Sequence, residues 1–132
     1  MKPPEQVKRE MVREWLEKAD KDLALATHLL NENAPFPEAI AFHAHQAAEK
    51  YLKGLLVYLQ IEFSKTHNLG KLLDLISAKN PSLAGSLEEI TVLNPYAVEF
   101  RYPGPLDITL EDAQKAVQLA AKTGDAVKGT IG

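Results

Sequence analysis

From Val7 to Leu30 an apolar residue returns every three or four positions: Val7, Met11, Trp15, Ala19, Leu23, Ala26, Leu30. That period keeps side chains on one stripe of an α-helix and scatters them across both faces of a strand. The pattern predicts a first helix, which Asn31, Asn33, Pro35 and Pro37 then stop. Pro37 suits a first helical turn, and no further proline occurs before Gln60, so a second helix is expected there. Its apolar positions, from Ile40 and Ala41 to Tyr58 and Leu59, cover nearly half the circumference. That is wider than packing on one neighbour needs, which predicts a central helix. Gly54 in its interior costs about 1 kcal/mol relative to alanine, so a close helix contact is expected to compensate.

Thr66 to Asn68 offer caps for a short third helix through Ile76, closed by Asn80-Pro81. Leu83, Leu87, Ile90 and Leu93 predict a fourth, interrupted at Asn94-Pro95, with a short turn restarting through Phe100. RYPGP, residues 101–105, holds two prolines and a glycine and reads as a fixed loop. Thr109 with Asp112 resembles a capping box opening a last helix to about Gly124 or Gly129. Strand-like alternation and internal repeats are missing from the sequence. The expectation is an all-α fold, an antiparallel up-and-down four-helix bundle with an additional short helix. The 132 residues suit a single domain, with 1–5 as a tail and 125–132 frayed.

Composition narrows the function. With no cysteine, a disulfide framework and thiolate metal sites are excluded. The opening MKPPEQVKRE lacks the apolar core of a signal peptide, so a cytoplasmic protein is expected. No apolar run approaches a membrane span. A net charge of −3 gives no general attraction to nucleic acid. Between Asn80 and Asp112 six acidic residues face one base, Arg101, which stands out for that reason.

The polar residues of the second helix carry the functional question. His43 and His45 lie about 200° apart on a helix and cannot share a metal. His45 and Glu49 have i,i+4 spacing, but a metal site built from such singletons is a weak signal, and a structural histidine at the edge of the core is the better reading. The serines (Ser64, Ser77, Ser82, Ser86) sit in no nucleophile elbow, and no glycine-rich phosphate loop occurs. No catalytic residue, metal or cofactor is assigned. His43, Gln46, Lys50 and Lys53 fall within about 80° of one face. Two cations and an amide in line suit phosphate or carboxylate, though a solvated helix face explains them equally. Arg101, flanked by Phe100 and Tyr102, could face this ridge and grip a phosphate while an aromatic stacks on a base.

Five segments in this order, WLEKADKDLALATHLL (15–30), AFHAHQAAEKYLKGLLVYL (41–59), THNLGKLLDLI (66–76), LNPYAVEFRYPG (93–104) and LEDAQKAVQLAAK (110–122), together resemble the prokaryotic HEPN domain family. The resemblance implies a dimerising four- or five-helix bundle, similar to the substrate-binding C-terminal domain of kanamycin nucleotidyltransferase. It further implies nucleotide binding and a separately encoded nucleotidyltransferase partner. Carried onto this chain, the family's motif positions are Gln46, Glu49, Lys50, Lys53, His67, Arg101 and Tyr102. Many HEPN proteins are metal-independent ribonucleases with an Arg-x4-6-His motif. Here none of Arg9, Arg13 and Arg101 is followed by histidine at that distance, and all four histidines precede Arg101. The implied function is therefore a non-catalytic dimeric module. The alternatives are a degenerate, toxin-like ribonuclease using His67 and Arg101, or a purely structural partner.

Overall fold

The computed structural model describes residues 2–97 and 107–132. The expected turn through Phe100 and the RYPGP loop, with Arg101 and Tyr102, lie outside the described residues. The fold is all-α: α1 (Pro4–Asn31), α2 (Pro37–Leu59), α3 (Leu69–Ser77), α4 (Pro81–Ser86), a 3-10 helix (Glu88–Tyr96) and α5 (Leu110–Ile131). Three long helices, α1, α2 and α5, form the body, and the short pieces within residues 69–96 pack against α2 and α5. Asn80-Pro81 divides α3 from α4, while the expected interruption at Asn94-Pro95 is absent, since Pro95 falls inside the 3-10 helix.

Helix α2 is the central element. Ile40, Ala44, Ala47, Ala48, Leu52 and Leu55 are all fully buried, as its broad apolar arc implies. On one side it meets α1 in antiparallel fashion. A Cβ added at Gly54 would lie 3.1 Å from Leu16 and 3.2 Å from Trp15, so the bare backbone lets the two helices approach. On another side α5 approaches as tightly, and a Cβ at Gly124 would fall 2.7 Å from the Tyr51 ring. Gln60 ends α2 in the left-handed conformation, φ 59°, while Ile61 N–H donates to the Leu56 carbonyl at 2.9 Å.

The core face of α1 is Val12, Ala19 and Ala26, fully or nearly buried, with Leu16, Leu23 and Leu30 half-buried beside them. These residues alternate steps of four and three. Val7 and Met11, assigned to the apolar stripe from spacing, are instead 40% and 46% exposed. The reason is geometric: successive steps of four overshoot a turn by about 40° each, so a line traced back from Ala19 through Trp15 and Met11 drifts off the core.

Caps fall where the side chains allow. Asn68 and Asn80 accept from Lys71 N–H and Leu83 N–H, and Thr109 and Asp112 form a reciprocal capping box with both bonds at 3.0 Å. Two expectations at the termini are corrected. α1 starts at Pro4, within the segment assigned as tail, because a proline at the first helical position forfeits no hydrogen bond. α5 runs to Ile131, well into the segment expected to fray, because Val127 is buried and Lys128 Nζ is held 2.7 Å from Asp20 Oδ1.

Candidate functional site: two carboxylates along the edge of α2

Helical spacing brings His43, Gln46, Lys50 and Lys53 to one edge of α2, and two carboxylates organise them. Asp22, reaching across from α1, lies 3.0 Å from His43 Nδ1 and 2.5 Å from Lys50 Nζ. Glu49, one turn before Lys53 on α2, accepts from Lys53 Nζ at 2.9 Å and from His67 Nδ1 at 2.7 Å. Each carboxylate thus stands between a lysine and a histidine.

The two groups differ in burial. The Glu49 and Lys53 side chains are 4% and 8% exposed, whereas His67 is 66% exposed. A buried carboxylate and ammonium are tolerable only when each is paired and its remaining hydrogen-bonding capacity is met. Lys53 therefore gains from the Trp15 ring, whose centroid is 5.7 Å from Nζ. Trp15 in turn packs edge-on against Phe63 at 6.4 Å.

His67 precedes α3, and its position is fixed from two directions. Its imidazole Nδ1–H donates to Glu49, which leaves Nε2 as the exposed edge. Its backbone carbonyl accepts from Nε2 of His45 at 2.9 Å. His45 is completely buried, and burial, partly opposed by this bond and by the Gln46 and Glu49 side chains, holds its pKa below the ordinary histidine range. Gln46 Oε1 lies 3.3 Å from His45 Nδ1. Sequence reasoning placed His45 at the edge of the core as a structural histidine. It sits inside the core and anchors the backbone of His67.

Of the seven positions singled out, the structure gathers Gln46, Glu49, Lys50, Lys53 and His67 along one edge, while Arg101 and Tyr102 lie outside the described residues. The cations Lys50 and Lys53 do not form a bare positive ridge, since each is matched by a carboxylate. Asp22 was missed. Its signal was faint: it sits on the polar side of α1 and is distinguished only by facing α2 where His43 and Lys50 are two turns apart. Among the described residues no cluster of three or more His, Asp or Glu is arranged to hold a metal ion. None of the four main surface grooves of the described structure includes any of these edge residues.

Comparison with known proteins places this geometry in a family. The HEPN domain pattern matches residues 12–129, nearly the whole chain. The chain belongs to the HEPN family. Among solved structures, this HEPN chain is similar to ST0689, described as an archaeal HEPN homologue, at 26% identity and a TM-score of 0.73, covering 92% of this chain and 98% of that one. It is likewise similar to TT1696 from Thermus thermophilus, at 30% identity and a TM-score of 0.73, covering 89% and 96% of the respective chains. No match was found among curated proteins. No described helix of this HEPN protein is long and apolar enough to cross a membrane.

Proposed function

We propose that this HEPN protein is a non-catalytic, homodimeric module that binds a nucleotide or similar anion along the α2 edge and works with a separately encoded minimal nucleotidyltransferase. The observation that carries the ligand reading is His67, an exposed imidazole oriented from behind by the buried Glu49–Lys53 pair. A ring held in one orientation by a carboxylate presents Nε2 outward at little entropic cost. The exposed ring and the Lys50 ammonium are the groups of this edge offered to a phosphate. Asp22 and Glu49 offset the two lysines, so the edge presents hydrogen-bonding groups more than net positive charge. Arg101 supplies the bidentate contact and Tyr102 the stacking surface. Dimerisation and the nucleotidyltransferase partnership draw their support from family membership.

Calorimetric titration with ATP and GTP tests this reading. Binding by wild type is expected, with loss in a Lys50→Ala/Arg101→Ala variant. Equal binding by wild type and variant overturns the site. Sedimentation as a monomer at micromolar concentration overturns the dimer, and an adjacent reading frame that encodes no small nucleotidyltransferase counts against the partnership.

One observation favours a second reading, a degenerate metal-independent ribonuclease. The Glu49–His67 pair, with Nδ1 committed to a carboxylate, is the arrangement that prepares an imidazole as a general base. Incubation with tRNA in EDTA decides it, since cleavage lost in His67→Ala would replace the binding module with an enzyme.

A further inference from the structure

On a different face of α1 lies an open groove of about 980 Å³ that shares no residue with the α2 edge. It follows α1 from Glu5 to Asp20 and is closed by the ends of α2 and α5 and by Lys79. Fifteen residue steps at 1.5 Å give it a length of about 22 Å. Its floor is apolar: Val12, Leu16, Tyr58, Leu59 and Ile131. Its rim is cationic, with Lys8, Arg9, Arg13, Lys79 and Lys128 against Glu5, Glu17 and Asp20, a local surplus of positive charge in a chain of net charge −3.

The pairing within the rim shows where the surplus sits. Glu5, Glu17 and Asp20 engage Lys8, Arg13 and Lys128 at 3.3, 3.8 and 2.7 Å. Lys8 also lies over the Tyr58 ring at 5.4 Å, and Lys79 Nζ donates to the Leu59 carbonyl at 2.6 Å. Lys79 and Arg9 are left with no carboxylate partner among the described residues. One projects from α1 and the other follows α3, so both are available to an acidic group on an occupant.

The geometry points to an interaction surface for an amphipathic helix of a partner protein, with an apolar stripe flanked by Asp or Glu. A helix about 10 Å across and 22 Å long, sunk to half its depth, displaces roughly 900 Å³, which matches the groove. Docking an apolar face into such a groove, with anchors at i, i+3, i+4 and i+7, is a recurrent mode of helix recognition. The rim adds selectivity, because a basic helix would meet the uncompensated Arg9 and Lys79.

The test uses the full chain and a fluorescein-labelled 16-residue helical peptide with a leucine stripe and glutamate flanks, read by anisotropy. Controls are the same peptide with lysine flanks and a scrambled glutamate peptide of identical composition. The glutamate helix is expected to bind, with affinity at least tenfold weaker in Arg9→Glu/Lys79→Glu, whose folded state is checked by circular dichroism. Affinity is also expected to fall as salt rises. Equal binding by the scrambled peptide, undiminished binding by the charge-reversed variant, or no binding to wild type overturns the proposal. Conversion of a wild-type dimer to a monomer by Arg9→Glu/Lys79→Glu would also overturn it, since the occupant would then be a second copy of the chain. Nucleotide titration of the same variant reads the α2 edge separately, so failure of one site is distinguishable from failure of the other.

Discussion

Glu49 and His67, eighteen positions apart in sequence, meet at 2.7 Å, and the carboxylate that receives the imidazole also holds Lys53 at 2.9 Å. One buried acid therefore orders both a buried cation and an exposed ring. Truncating a partner of a buried ion pair strands the other charge, at a cost of about 3–5 kcal/mol. Glu49→Ala is expected to destabilise by about that amount in urea unfolding. A Glu49→Leu/Lys53→Met double variant is expected to recover most of the loss, because no charge remains buried. A double variant as unstable as the single one would show that the pair contributes through shape instead of charge.

Gly124 and Gly54 predict opposite tolerances. A methyl at 124 meets the Tyr51 ring at 2.7 Å, and this ring is pinned by its hydroxyl donating to Asp20 at 2.5 Å. Gly124→Ala is expected to cost about 1–3 kcal/mol by overpacking. At position 54 the contacts are 3.1 Å and longer, the nearest to the end of a leucine side chain that can yield. The helix-propensity gain of about 1 kcal/mol then offsets much of the strain in Gly54→Ala. Thermal melts of the two variants check the ranking.

His45 gives the protein a pH dependence of known sign. Burial lowers its folded-state pKa from the ordinary value of 6.5, so the unfolded chain takes up this proton first as pH falls. The stabilisation from a neutral His45 is complete above about 6.5 and is lost as pH drops through that value toward the folded-state pKa. His67 and Glu49 also face this ring. The measurement is therefore a difference: stability between pH 7.5 and 5 is expected to fall less in His45→Gln than in wild type.

Asp22 restrains the cation nearest the proposed ligand. On the anion-binding reading, Asp22→Asn releases Lys50 and His43, and nucleotide affinity is expected to rise severalfold. An unchanged or lower affinity, measured by calorimetry, would place the ligand elsewhere.

Thr109→Ala removes one half of the capping box at the start of α5. The expected loss is about 1 kcal/mol, with amide exchange accelerating first in the opening turn of α5.

Helix positions and stops were legible in the sequence because proline, asparagine and threonine act locally. Pro37, Asn68, Asn80 and Thr109 mark helix starts by forces that reach only a few residues. The phase of α1 was legible only where its stripe keeps alternating threes and fours, so Val7 and Met11 were misassigned. The α2 edge was visible as a spacing, and His67 came from the family resemblance. Its charge balance was not visible, because Asp22 belongs to another helix and a periodic pattern on one element says nothing about what the facing element contributes. The groove beside α1 was hidden for the same reason, being assembled from helix ends distant in sequence.

The missing side chain at residue 54 has an electrical effect as well as a steric one. By letting the first two rods touch, it brings an indole down like a roof tile over the neighbouring ammonium at 53. A group bulkier than a methyl at that seam would raise the tile and open the buried pair beneath it to solvent.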